Sequence, residues 1–271
     1  MSDITVVLIV LNNVENIQKC IESILLQDIS DLIVIDGGST DGTIEFLEQQ
    51  KITYFNIGKT GLSHARQFGV DKVSTEFVAL VDSDNILECN CLTNLRSDLK
   101  ISNFVGIAAQ KRSFYKDNLF GIYQEWMNSK KVNLPGKKVV IGTPSIYYTT
   151  ILKNVVRYNA EIKFGDDTDL CYRLSLNNMI VGTGSGICFE KMPKTFKEFY
   201  KKAFLYGKAD LEFFKNNKSR RHDIGTHAIR NYLFKMTYHS VKDYKFNFLP
   251  LVFVYAFSRF TGLYFNLIFK K

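Results

Sequence analysis

Apolar residues come first as a continuous run and then at helical spacing. The run "ITVVLIVL" at 4–11 reads as a strand buried on both faces, and Ile17, Cys20, Ile21, Ile24 and Leu25 after it mark one face of a helix. The alternation repeats. "DLIVID" is a second strand, "TDGTIEFLEQQ" a helix, "ITYFNI" a third strand, "LSHARQFGVDKV" a helix and "EFVALVD" a fourth strand. Unbroken apolar strands separated by helices predict a mostly parallel sheet covered on both faces, an α/β fold. Ligands of such sheets bind at the carboxyl ends of the strands. Those ends are "LNN" at 11–13, "DGGSTDGT" at 36–43 and "DSDN" at 82–85.

Beyond Asn85 the pattern loosens. It predicts strands near 104–110 and 138–148, a helix near 118–128 and another from about Thr168 to Asn177. Helices near 195–216 and 224–242 then lead into "FNFLPLVFVYAFSRFTGLYFNLIF" at 246–269, where Arg259 is the only charge. Three regions follow from this: an α/β domain over 1–190, a basic helical segment over 191–245, and a hydrophobic helix or helical pair over 246–271.

Composition narrows the class. At 271 residues and 46% hydrophobic content the chain can build a full core, and four prolines with no fixed-period repeat exclude a long linker or a solenoid. Five cysteines in no zinc-ligand spacing, and a start without a basic leader, point to a reducing cytoplasm. Cys89 and Cys91 read as half-buried thiols beside a helix. Of the net charge of +8, the segment from Lys191 to Arg221 carries +7, with ten Lys/Arg against three acids, so an anionic surface or partner is expected there. Nucleic acid is set aside. Phe196, Phe199, Phe204 and Phe214 recur among these charges at helical spacing, as a buried stripe does, rather than as base-stacking platforms.

Four segments carry chemistry. "VALVDSDN" ends a buried strand with Asp82 and Asp84, two carboxylates that can reach one hard cation. "VIDGGSTDGT" puts Asp36 at a strand end, where it can accept from a nucleobase N–H or a ribose hydroxyl, before two glycines that allow close backbone approach. "GLSHARQFG" carries Arg66 near a helix start, placed to pair with phosphate or brace a base. "FGDDTDLCYRL" gathers Asp166, Asp167 and Asp169 at a helix start, more acids than a cap requires, and crowding raises the pKa of at least one toward the range of a general base.

In this order the four segments resemble family 2 glycosyltransferases, whose fold is called GT-A, a Rossmann-like nucleotide-diphospho-sugar transferase fold. The resemblance covers roughly residues 4–190. It implies Asp36, Arg66 and Asp82, with Asn13 and Glu15 after the first strand, as donor-binding positions. It implies Asp84, with Asp82, at a Mg²⁺ or Mn²⁺ ion as a DXD motif, and Asp167 as catalytic base beside Asp166. Gln67 stands where the family usually has Asn, Asn85 where a third Asp is frequent, Asp166 where Glu is usual, and Glu190 where a His is often found. The function implied is inverting transfer of a sugar from a nucleoside-diphosphate donor, a UDP-sugar in the first instance, to a lipid-linked or oligosaccharide acceptor.

Three other readings compete. A non-catalytic nucleotide-sugar-binding module would not need the intact acid set. A dinucleotide oxidoreductase is suggested by "VGTGSGI" at 181–187, but no helix follows to hold a pyrophosphate. A nucleotidyltransferase would want a Gly-rich basic loop where "LIVLNNVEN" stands. The C-terminal segment is long enough to span a bilayer. Arg259 costs about 2.5–3.5 kcal/mol against about 0.3–0.6 gained per Leu, Ile, Phe or Val, so insertion is near balance. The expectation is a membrane-associating extension at the cytoplasmic face, peripheral or a single anchor, on an anionic membrane surface. The alternative is a helix packed on the catalytic domain or in a homo-oligomer interface.

Overall fold

The computed structural model describes residues 2–114, 117–217, 219 and 229–268. The start of the helix expected at 224, and Lys218, Arg220, Arg221, Lys270 and Lys271 of the basic stretches, lie outside them. Two compact units divide the chain: Met1–Arg112 with Val132–Ile162 and Asp166–Lys191, and Ser113–Lys131 with Lys163–Gly165 and Met192–Lys271.

The first unit is a nine-stranded sheet with helices. Its elements are β1 (Ile4–Val10), α1 (Val14–Leu25), β2 (Asp31–Asp36), α2 (Thr43–Gln49), β3 (Tyr54–Asn56), α3 (Leu62–Lys72), β4 (Phe77–Asp82), β5 (Asn85–Leu87) and α4 (Cys91–Ile101). β6 (Gly106–Ser113), β7 (Gly136–Lys138), β8 (Ser145–Tyr148), α6 (Asp166–Leu176) and β9 (Val181–Glu190) complete it, while α5 (Leu119–Ser129) belongs to the second unit. The strand order is β3-β2-β1-β4-β8-β6-β9-β5, with β7 on β9. β1, β2, β3 and β4 run parallel, and β1 is buried along its whole length, as its unbroken apolar run requires. The expected long strand at 138–148 is instead two short ones, β7 and β8, and β8 is antiparallel to both β4 and β6.

Register places the chemistry. Val10 lies opposite Asp36 on one side of β1, and Ile9 lies opposite Asp82 on the other. The two aspartates therefore flank one strand end at the same rim. On the far side of β4, Leu80 pairs with Ser145, and continuing that antiparallel register brings Thr143 opposite Asp82. Beneath the rim, α3 approaches so closely that a Cβ on Gly69 would fall 2.3 Å from Val7 Cγ1. Only glycine permits that contact, and it brings Arg66, nearly one turn earlier, under the strand ends.

The second unit is helical. It holds α5, α7 (Phe196–Asn216), a π-helical stretch Ile229–Phe234 running into α8 (Lys235–Lys242), a 3₁₀ turn Phe246–Phe248, and α9 (Leu249–Ile268). Tyr123 of α5, Phe199 of α7, Met236, Phe248 and Tyr255 share its core. The Phe stripe expected on α7 is buried at Phe199 and Phe214, whereas Phe196 is 55% exposed and Phe204 half-buried, because the core claims one face of the helix only. α7 and α9 touch through backbone: a Cβ on Gly207 would fall 2.0 Å from the Arg259 carbonyl oxygen, and one on Gly262 2.0 Å from that of Phe204. Arg259 is no isolated charge. It is buried, its Nε and Nη2 donate to Asp210 at 2.6 and 2.8 Å, and the Tyr232 ring lies 4.2 Å from its guanidinium carbon.

Candidate active site

The first strand-end loop is organised by Asp36 itself. Its Oδ1 accepts from the amides of Gly38 and Ser39 at 2.8 and 2.9 Å, and its Oδ2 from the Ser39 hydroxyl at 2.5 Å. The side chain is fully buried. At Asp36, where a nucleoside contact is expected, the turn after β2 bends its own donors onto the carboxylate. Gly38, at φ +89°, makes that bend possible, and Ser39 passes the order on by accepting from the Asn12 amide at 2.8 Å.

Arg66, expected as a phosphate partner, also sits at the rim, among acidic side chains. It is 1% exposed and holds three carboxylates: Nη1 donates to Asp166 Oδ2 and Asp167 Oδ1, both at 2.6 Å, and Nη2 to the two oxygens of Asp82 at 3.0 and 3.1 Å. The Thr143 hydroxyl adds a 2.5 Å bond to Asp82 Oδ2. Both oxygens of Asp82 are therefore engaged inside the protein. The guanidinium lies 5.9 Å from the centre of the buried Tyr158 ring. The neighbouring Gln67 accepts from the Tyr158 amide at 2.7 Å, tying α3 to that loop.

Three carboxylates against one guanidinium leave an excess of negative charge. Part of it is relieved by protonation: burial pushes the Asp167 carboxyl up to about 7, Arg66 opposing and Asp166 and Asp82 adding to the rise. Asp167 keeps 28% of its side chain exposed, against 8% for Asp166, so it is the member of the pair that a ligand can reach. Its Oδ2 points toward Gly142, where a Cβ would stand only 3.2 Å away. A glycine there leaves space beside the oxygen that Arg66 does not hold.

A cleft of about 470 Å³ opens at the ends of β1 and β4, lined by Asn13, Glu15, Asn16, Asp41, Asp84 and Lys191 among others. Asn13 donates to the Ser83 hydroxyl at 2.8 Å, and the exposed Glu15 pairs with Lys191 at 3.4 Å. Asp84 is half-buried on the cleft wall, with Oδ1 accepting from Asn85 Nδ2 at 3.1 Å. Among the described residues no group of three His, Cys, Asp or Glu is arranged to hold a metal ion. The donor set fits a hard cation carried by one aspartate and completed by substrate phosphates and water, the usual way Mg²⁺ is bound, and does not fit an all-protein cage. Glu190, level with Asn85 across the β5–β9 pair, is buried and ion-paired with Lys111 at 2.9 Å.

The run "VIGTPSIYY" at 140–148, which contains Thr143 and Gly142, is expected from sequence on the acceptor side but without a role for either residue, and Tyr158 is missed altogether. Only the antiparallel pairing of β8 with β4 brings the first two to Asp82 and Asp167, and no local pattern announces that pairing.

A model of glycosyl transferase family 2 matches residues 5–166, more than half of the chain and all of the segments just described as far as Asp166. The chain belongs to glycosyl transferase family 2. Glycosyltransferase GlyA of Streptococcus pneumoniae is 29% identical over 46% of the chain, and the match spans 20% of that protein's length. Cholesterol galactosyltransferase of Borreliella burgdorferi is 29% identical over 57% of the chain and 50% of its own length. Among solved structures, mannosyltransferase PcManGT of Pyrobaculum calidifontis, in complex with GDP-Man and Mn²⁺, superposes with a TM-score of 0.73 at 13% identity, covering 99% of this chain and 88% of that one. The fold is GT-A-like, as the family resemblance of the strand ends implied.

Proposed function

We propose that this family 2 member is a metal-dependent, inverting glycosyltransferase using a nucleoside-diphosphate sugar, a UDP-sugar in the first instance. The observation that carries the reading is the Arg66 network, which holds Asp82, Asp166 and Asp167 together at the strand ends while burial raises Asp167 to about 7. A carboxylate tuned near neutrality is suited to accept a proton from an incoming hydroxyl. The donor's nucleoside diphosphate would lie in the cleft of Asn13, Glu15 and Lys191, against the loop that Asp36 organises. Asp84 would hold Mg²⁺ or Mn²⁺, which when bound offsets the negative charge gathering on the departing diphosphate.

Asp167 takes the acceptor hydroxyl proton on the oxygen beside Gly142. The acceptor oxygen forms its bond to the anomeric carbon as the bond to the diphosphate breaks, and one in-line displacement inverts the anomeric centre. Arg66 and Asp166 position Asp167, and Thr143 and Arg66 fix Asp82. The acceptor is proposed to be lipid-linked or a glycan, at the cytoplasmic face of a membrane. The Borreliella relative's name, with cholesterol as its acceptor, and the apolar helix at Phe246–Phe265 support that setting.

The test is thermal stabilisation of the full chain by UDP-, GDP- and dTDP-sugars with and without Mn²⁺, followed by product analysis. Stabilisation by one nucleotide class only when Mn²⁺ is present, with an inverted product, is expected. Stabilisation without turnover on any acceptor would favour a binding module instead.

A further inference from the structure

α9 has two opposite faces. Leu251, Val252, Tyr255, Arg259 and Leu263 are buried, while Phe253, Phe257 and Phe260, at i, i+4 and i+7, are 54%, 63% and 38% exposed. Water-facing phenylalanines in a line are costly to leave uncovered. On α7, Lys197, Lys201 and Phe204 fall on one stripe, and together with Phe257, Phe260 and Tyr264 of α9 they line an apolar groove of about 630 Å³. Among the described residues neither Lys197 nor Lys201 makes an ion pair. The nearby acids are occupied: Glu198 accepts from the Lys194 amide at 2.8 Å, and Asp210 is held by Arg259.

The α9 helix is long and apolar enough to cross a membrane, yet half of it is buried against its own unit. Spanning would break the Gly207 and Gly262 backbone contacts and the Arg259–Asp210 pair, or carry Lys197, Lys201 and Lys208 of α7 into hydrocarbon. Lying in the headgroup plane costs neither. We infer that the α7–α9 groove is a monotopic docking surface for an anionic lipid leaflet. The Phe253–Phe257–Phe260 stripe enters the acyl boundary, Lys197 and Lys201 meet lipid phosphates, and the groove receives an acyl chain. Aromatic floor and cationic rim are both matched by a phospholipid of net negative charge.

The surface deepens the membrane setting proposed above, but vesicle binding is measured without sugar transfer, so the two stand or fall separately. The full chain is floated with phosphatidylcholine vesicles and with vesicles containing phosphatidylglycerol. Binding only to the anionic vesicles, released by high salt, is expected. Lys197→Gln with Lys201→Gln should weaken it about thirtyfold. Phe257→Ser with Phe260→Ser, at positions outside the core, should weaken it about tenfold or more while thermal stability and donor binding stay as in the wild type. No flotation, equal binding to both vesicles, resistance to carbonate extraction, or variants that float like the wild type would overturn the inference. So would a wild-type dimer that the phenylalanine variant dissociates.

Discussion

Arg66 Nη1 donates to Asp167 Oδ1 at 2.6 Å, from the same nitrogen that holds Asp166, so one cation sets the position of both carboxylates. Arg66→Met should cost about 3–5 kcal/mol at pH 8, because it leaves like charges buried together. Part of that loss should return at pH 5, where Asp167, raised to about 7 by burial, is protonated. Urea denaturation at the two pH values checks both statements.

Asp167→Asn should lower turnover by about 10²-fold or more with donor affinity little changed. In the wild type, kcat should rise with pH through about 7 and then level, since only the ionised carboxylate accepts a proton. The stability effect has the opposite sign. Between its ordinary 3.8 and about 7 the folded protein keeps a proton that the unfolded chain releases, so stability falls as pH rises across that window. Asp167→Asn should lack this slope, which parallel melting curves from pH 4 to 8 would reveal.

Asp84→Asn should abolish the Mn²⁺-dependent part of nucleotide binding and leave the ligand-free melting temperature within a few degrees, because the side chain is half-buried on a cleft wall and not part of the core. Calorimetric titration of the nucleoside diphosphate with and without Mn²⁺ is the measurement. Retained Mn²⁺ dependence would remove Asp84 from the metal site.

Asp36→Ala should both destabilise the protein and raise the donor KM, since three donors around a buried carboxylate lose their acceptor. About 1–3 kcal/mol is expected for unsatisfied buried groups of this kind. A direct ligand contact would instead change KM alone, so chemical denaturation without ligand separates the two roles.

Gly262→Ala should destabilise the helical unit by about 1–3 kcal/mol or more, because the added methyl meets the rigid Phe204 carbonyl and not a side chain that can turn away. Limited proteolysis within the second unit should accelerate in step with the loss measured by denaturation.

The parallel half of the sheet was legible because strands buried on both faces write unbroken apolar runs, as β1 and β4 do. The strand ends could be located for the same reason. What their side chains do there was less legible. Arg66 shows in the sequence as a charge near a helix start, and nothing local reveals that Asp166, 100 residues away, closes on it. Asp36 reads as an acceptor for a ligand, and nothing local reveals that the amides of Gly38 and Ser39 also fold back onto it. Arg259 reads as a penalty in an apolar helix because its partner, Asp210, lies 49 positions earlier on another helix. Long-range electrostatic pairing carries no period, so periodicity analysis is blind to it.

The helical unit is assembled from three separate stretches of chain, and this bears on its biogenesis. Tyr123 of α5 packs edge-on against Phe248, 125 residues further along. At ordinary translation rates α5 is made about 6–25 s before that partner exists. During this interval Tyr123 and Met127 have no Phe248 or Tyr255 to cover them, and the nascent chain offers an apolar surface to chaperones or to neighbouring ribosomes' products. A stop codon before Phe246 would make that interval permanent, so a shortened chain is expected to aggregate rather than yield a clean soluble enzyme.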